Sequence, residues 1–123
     1  DGKLSRGLGD VYKRQALFIP DIDKWYLWEK SIADEIEKVD YALIDATFYD
    51  SKEVNYRDLS EIPHPFVVES MELFDSMKYE ERNKIFFIHL NHTNPLLDKE
   101  SDQYKLVKEK GYNVAEEGLN LKL

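Results

Sequence analysis

Residues 84–95 read KIFFIHLNHTNP. Four apolar residues, Ile85 to Ile88, run without a polar break. That is the pattern of a strand covered on both faces, as in a parallel sheet sheltered by helices. The run ends at His89, and Asn91, Asn94 and Pro95 follow, which is turn chemistry. The stretch therefore predicts a buried strand that hands a histidine to a sharp turn at its C-terminal end.

Working outward, two more strand signals precede it. ALFIP (16–20) is a short apolar run stopped by Pro20, and YALIDATF (41–48) turns polar at its end. Between them Trp25, Trp28, Ile32, Ile36 and Val39 recur every three or four positions, which predicts an amphipathic helix from Trp25 to Lys38. Residues 49–65 are polar, hold two prolines and show no period, so they form a long loop, and loops of that length are usually functional or disordered. FVVESMELFDSM (66–77) predicts a helix with Val67, Met71 and Phe74 on one face. ESDQYKLVKEKG (100–111) predicts another, with Lys108 and Lys110 in its last turn and Gly111 as C-cap. YNVA and LNLKL read as strands around an EEG turn. The order is β-α-β-loop-α-β-α-β-β, an α/β layered architecture. In such folds functional residues gather at the C-terminal ends of strands.

Three polar clusters occupy those ends. In FIPDID, Asp23 suits the N-cap of the helix that follows. Asp21 has no capping role and is open to reading as a loop residue, a metal ligand or a nucleophile. In LIDATF, Asp45 is either a turn-forming aspartate or a site residue. His64 lies between Pro63 and Pro65, which restrict the backbone and fix where the ring points, or it is an ordinary surface histidine. His89 is either a satisfied core group or a ligand, since neutral imidazole is the commonest metal ligand. His92, inside the turn, is expected to be more peripheral.

The chain has 123 residues, within the range of one domain, and a formal net charge of −8. That charge disfavours a broad phosphate-binding surface, so nucleic acid is not an expected partner. No cysteine is present, which excludes disulfides and zinc–cysteine sites. No apolar run approaches the roughly 20 residues needed to cross a bilayer. The expectation is a cytoplasmic protein without membrane contact, acting on a small-molecule substrate.

Together IPDID, LIDATF, IPHPFVVES and IHLNHTNPLL resemble the C-terminal half of a metallo-β-lactamase-fold hydrolase. Within that superfamily the chain is most similar to the branch around pyrroloquinoline-quinone biosynthesis protein B, with a motif layout like that of ribonuclease Z. The resemblance runs from about Ala16 to Leu123 and implies a truncated αββα sandwich. It implies that Asp21 bridges metal ions and that His89 completes one coordination sphere. It also implies that Asp45 and His64 work as a catalytic pair. The metal implied is divalent, with zinc expected and iron or manganese as alternatives. The family's His-x-His-x-Asp-His motif does not occur among residues 1–123, where His64, His89 and His92 are the only histidines. The fragment itself is therefore expected to be inactive. The implied activity is attack of a metal-activated water on a phosphodiester or similar ester-like bond.

Other readings stand beside it. An iron-dependent oxygenation of a small molecule fits the quinone-biosynthesis branch. Strand-Asp-x-Asp also resembles the nucleophile motif of haloacid-dehalogenase-like phosphatases, although His89 and Asn91 stand where that family needs acids. A binding module without chemistry is the third. The polar string DVYKRQ (10–15) resembles one reading frame through a transposon end used in shotgun library preparation. Residues 1–15 are therefore expected to be a non-native scar, with 16–123 as the genuine domain of a metagenomic fragment.

Overall fold

The computed structural model describes residues 15–19, 25, 31–54, 62, 64–116, 118, 119 and 121. The expected scar, apart from Gln15, lies outside the described residues, and so do Asp21 and Asp23. Strand β1 spans Ala16–Ile19, β2 Tyr41–Asp45, β3 Ile85–Ile88 and β4 Asn113–Val114. All neighbouring pairs are parallel and the order across the sheet is β1-β2-β3-β4. Parallel neighbours need crossovers, and helices supply them: α1 at Ile32–Glu37, α2 at Val67–Phe74, α3 at Tyr79–Arg82 and α4 at Asp102–Glu109.

The register sets the core. Ile44 pairs with Ile19 on one side and Phe87 on the other, and Ala42 pairs with Ile85. Successive strand residues point to opposite faces, so these side chains share one face. They are buried against Ile32 and Ile36 of α1, Val67, Met71 and Phe74 of α2, and Val107 of α4. Phe74 and Val107 are fully buried, as the 3.6-residue periods of their helices require. The other face carries Leu43, Phe86 and Ile88, which are partly buried, and Phe18, which is 63% exposed. Trp25 donates its indole N–H to Ser70 Oγ at 2.7 Å and meets the Phe74 ring edge-on, so α2 has a polar tie inside its apolar face. Gln15 joins the sheet margin, its carbonyl accepting from the amides of Asp40 and Tyr41.

Several expectations need correction. The first described helix starts at Ile32, not Trp25, because Ser31 has extended backbone and caps it, accepting from Asp34 N at 3.3 Å. The second strand ends at Asp45 rather than Phe48, because the Asp45 side chain takes up the Thr47 amide in an Asx turn. The loop over 49–65 contains a 3-10 turn at Ser51–Val54. Leu119 and Leu121 lie in no strand, so the final LNLKL strand is absent from the described residues. Its preceding turn is present, with Gly118 at φ 87° and Leu119 N bonded to Glu116 O. Gly111, at φ 99°, ends α4 as expected. Among the described residues no helix is long and apolar enough to cross a membrane.

Candidate metal centre

Asp45 is the last residue of β2 and pairs with Ile88, the last of β3. The two strands therefore deliver Asp45 and His89 to the same C-terminal edge. Two backbone bonds carry the pairing past the strand ends, from Ala46 N to Ile88 O at 2.8 Å and from Asn91 N to Thr47 O at 2.9 Å. His89 sits where the chain leaves the sheet, at φ 66°, a left-handed conformation uncommon outside glycine. It is not the buried core group that one reading allowed: its side chain is 48% exposed.

The long loop brings the second histidine. Val54, Ile62 and Phe66 form a small apolar cluster with Phe48 against it, and Pro65 is buried beside them. The Glu69 carboxylate accepts from Phe66 N at 2.8 Å, which starts α2. Phe48 meets the His64 ring edge-on at 6.1 Å. His64 is thus held between anchored neighbours rather than carried on a loose surface loop.

The two histidines and Asp45 converge. His64 Nδ1 lies 2.7 Å from Asp45 Oδ2. Asp45 Oδ1 accepts from Thr47 N at 2.9 Å and from Thr47 Oγ1 at 2.7 Å. Thr47 Oγ1 in turn lies 2.9 Å from His89 Nδ1 and 3.2 Å from His64 Nδ1. The two imidazole centroids are 5.8 Å apart. The Asp45 carboxylate is fully buried and Thr47 is buried with it. A buried carboxylate needs such donors, because an uncompensated charge there is costly.

Asp45, His64 and His89 each offer one ligand atom, and these atoms lie within 4.8 Å of one another. Imidazole and carboxylate are donors that zinc accepts. Both oxygens of Asp45 already accept hydrogen bonds from Thr47 and His64. That suits the outer carboxylate that orients a histidine better than a direct ligand. His89 is the group best placed to ligate. His92 is exposed on the turn and outside the cluster. Thr47 went unnoticed in the sequence. Its only signal was its place two residues after a strand-ending aspartate, the Asx-turn position.

No protein-family model matches the chain. It is 28% identical over 103 residues to coenzyme PQQ synthesis protein B of Methylococcus capsulatus, and 26% identical over 101 residues to that of Pseudomonas syringae pv. tomato. The chain is similar in sequence to coenzyme PQQ synthesis protein B. Each alignment takes in 77% of the chain and 33% of the relative, so the chain spans about a third of the length of these PqqB proteins. The structure superposes on Zn2+-bound PqqB from Methylobacterium extorquens with a TM-score of 0.72 at 21% identity. That match covers 93% of the chain and 42% of the PqqB chain. The fold is accordingly part of the metallo-β-lactamase fold of PqqB, as the sequence motifs implied.

Proposed function

We propose that the chain carries part of the metal centre of a PqqB-like protein and acts on a small molecule in the synthesis of a quinone coenzyme. The carrying observation is the 2.7 Å contact between His64 and the buried Asp45, with His89 joined to the same carboxylate through Thr47. Support for a divalent metal, zinc first, comes from the imidazole and carboxylate donors and from the zinc-bound structural neighbour. In this reading His89 ligates the ion, and so does Asp21, two positions after the end of β1 in the sequence.

A bound divalent ion lowers the pKa of its water and supplies hydroxide near neutral pH. The remaining work falls to the chain. Asp45 accepts the Nδ1 proton of His64 and fixes its tautomer, as a carboxylate does for a catalytic histidine. His64 then holds a proton at Nε2 for a leaving oxygen or for negative charge on the substrate. In the hydrolytic version the substrate is a phosphodiester or another ester-like bond. A second version is oxidation of a small molecule at iron; the relatives are named for coenzyme synthesis rather than for hydrolysis, and a biosynthetic role accommodates either chemistry.

The test is a zinc titration followed by calorimetry and by the ring signals of His89. Zinc should shift those signals, and Asp45→Asn should weaken binding about tenfold, the usual cost of losing an outer carboxylate. Unchanged zinc affinity in His89→Ala would sink the metal reading. In a chain extended to the length of the relatives, zinc-dependent cleavage of a simple phosphodiester, lost in His64→Ala, supports the hydrolytic version. Iron-dependent oxygen uptake without cleavage supports the other.

A further inference from the structure

The chemistry of one hydroxyl constrains both histidines. An ionised carboxylate only accepts hydrogen bonds, and a threonine hydroxyl has a single proton. Thr47 Oγ1 stands 2.7 Å from Asp45 Oδ1, its shortest contact, so that proton points at Asp45. Were it turned toward His89 instead, two oxygen acceptors would face each other at 2.7 Å with no proton between them. With its proton committed, Oγ1 presents lone pairs to both rings. His89 Nδ1, at 2.9 Å, must therefore donate to it. His64 Nδ1 donates to Asp45 Oδ2 at 2.7 Å and leans on Oγ1 at 3.2 Å.

We infer that Thr47 is a positioning residue shared by the two histidines, a single hydroxyl that holds His89 in its Nδ1–H tautomer and turns its Nε2 into the ring's acceptor and ligand atom. The inference builds on the metal reading proposed above, for which Nε2 of His89 is the ligating atom. It also reaches beyond it, because the tautomer is fixed before any ion arrives. Thr47 is itself held by its own amide, which donates to Asp45 Oδ1 at 2.9 Å, and its carbonyl accepts from Asn91 N. The backbone of Thr47 is thereby fixed, and turning the hydroxyl away would break its own 2.7 Å bond to Asp45 Oδ1. His64 has a second anchor in Asp45, and His89 depends on Thr47 more heavily. The carboxylate, the hydroxyl and the two imidazoles form one network of hydrogen bonds that converges on Asp45, in which orientation of one ring bears on the other.

The experiment records two-bond nitrogen–proton spectra of the full chain with 15N-labelled histidine, metal-free and mildly alkaline. Three histidines make the spectrum assignable, and exposed His92 serves as the internal control. In wild type and in Thr47→Ser, His64 and His89 should both show the Nδ1–H pattern. In Thr47→Val, which keeps the shape and removes the hydroxyl, His89 should move to the Nε2–H form that free histidine prefers, while His64 stays Nδ1–H. General loss of structure would move both rings together and His64 would report it. If Thr47→Val does not fold, wild type and Thr47→Ser still decide: an Nε2–H His89 in either overturns the inference. An unchanged His89 in folded Thr47→Val overturns it too. Zinc added to the same samples should bind about tenfold more weakly to Thr47→Val than to Thr47→Ser. Failure of zinc to bind any variant, with the tautomer pattern intact, would defeat the metal reading and leave the role of Thr47 standing.

Discussion

The side-chain amide of Asn94 donates to the carbonyl of Ala46 at 2.7 Å and to that of Thr47 at 3.2 Å, across 48 and 47 residues of chain. Its oxygen accepts from Leu96 N at 2.9 Å, and Asn94 is 3% exposed. One buried amide thus clamps the turn after β3 to the turn after β2. Asn94→Ala removes the partners of the Ala46 carbonyl and the Leu96 amide, while the Thr47 carbonyl keeps its bond from Asn91 N, and it should cost about 2–3 kcal/mol in urea unfolding. Asn94→Asp should cost as much, because a carboxylate has no proton for the carbonyls. A loss under about 0.5 kcal/mol in either variant would show that the clamp is not needed.

His89 separates stability from function. Its backbone, at φ 66°, carries a cost of roughly 1–2 kcal/mol for a non-glycine residue. Glycine removes that cost but loses the bond to Thr47 and loosens the unfolded chain. His89→Gly should therefore unfold within about 1 kcal/mol of wild type while losing the zinc-dependent signal. His89→Val, branched at Cβ, should be destabilised by about 2 kcal/mol. Equal stability of the two variants would mean the conformation is not held.

Asp45 and His64 should be coupled energetically. Asp45→Ala strands the Thr47 amide, the Thr47 hydroxyl and the His64 ring, so it should cost about 3 kcal/mol or more. His64→Ala opens a group only 15% exposed and removes one of those contacts, so it should cost less. A double-mutant cycle should return a coupling above about 1 kcal/mol. Additive costs would remove the pair as a functional unit.

Acid stability should depend on Asp75, far from the site. Burial pushes its carboxyl up, but hydrogen bonds from Lys110 and Tyr112 and the charges of Lys110 and Arg82 outweigh that and hold it below the usual range. The contacts are 2.6 Å to Lys110 Nζ and 2.7 Å to the Tyr112 hydroxyl. A carboxylate lowered in the folded state stabilises above its unfolded value, about pH 4, and that contribution is lost as pH falls through the lower folded value. Its size is modest, since the side chain is 37% exposed and solvent screens the pair. Asp75→Asn should lower stability at pH 7 and flatten the decline below pH 4. An unchanged acid limb in urea titrations at successive pH values would refute this.

The strands and the face of α2 were legible because burial imposes a period on sequence, and Ile85 to Ile88 or Val67, Met71 and Phe74 display it. Helix α3, of four residues, and the 3-10 turn at Ser51–Val54 are too short to show any period. The second strand was overrun because the Asx turn at Asp45 looks, in one dimension, like continued strand. At the site, residue types and strand ends were enough to nominate Asp45, His64 and His89. What they could not reveal is a relation across 42 residues, the hydroxyl of Thr47 against the ring of His89. Contacts of that kind depend on register, which no local pattern encodes.

A sheet whose described strands are all parallel, and lie side by side in chain order, has a consequence for how the molecule assembles. Bonds between β2 and β3 form only after the crossover from Asp45 to Ile85 has closed, and such non-local pairing is slow compared with hairpin formation. Closure of that crossover depends weakly on its length, so the loop bearing His64 tolerates its size without delaying the event much. The Thr47–His89 bond forms only when the two strand ends meet. During refolding, the His89 imidazole signal is therefore a clock for that single docking step, ticking once, when the second half of the sheet closes on the first.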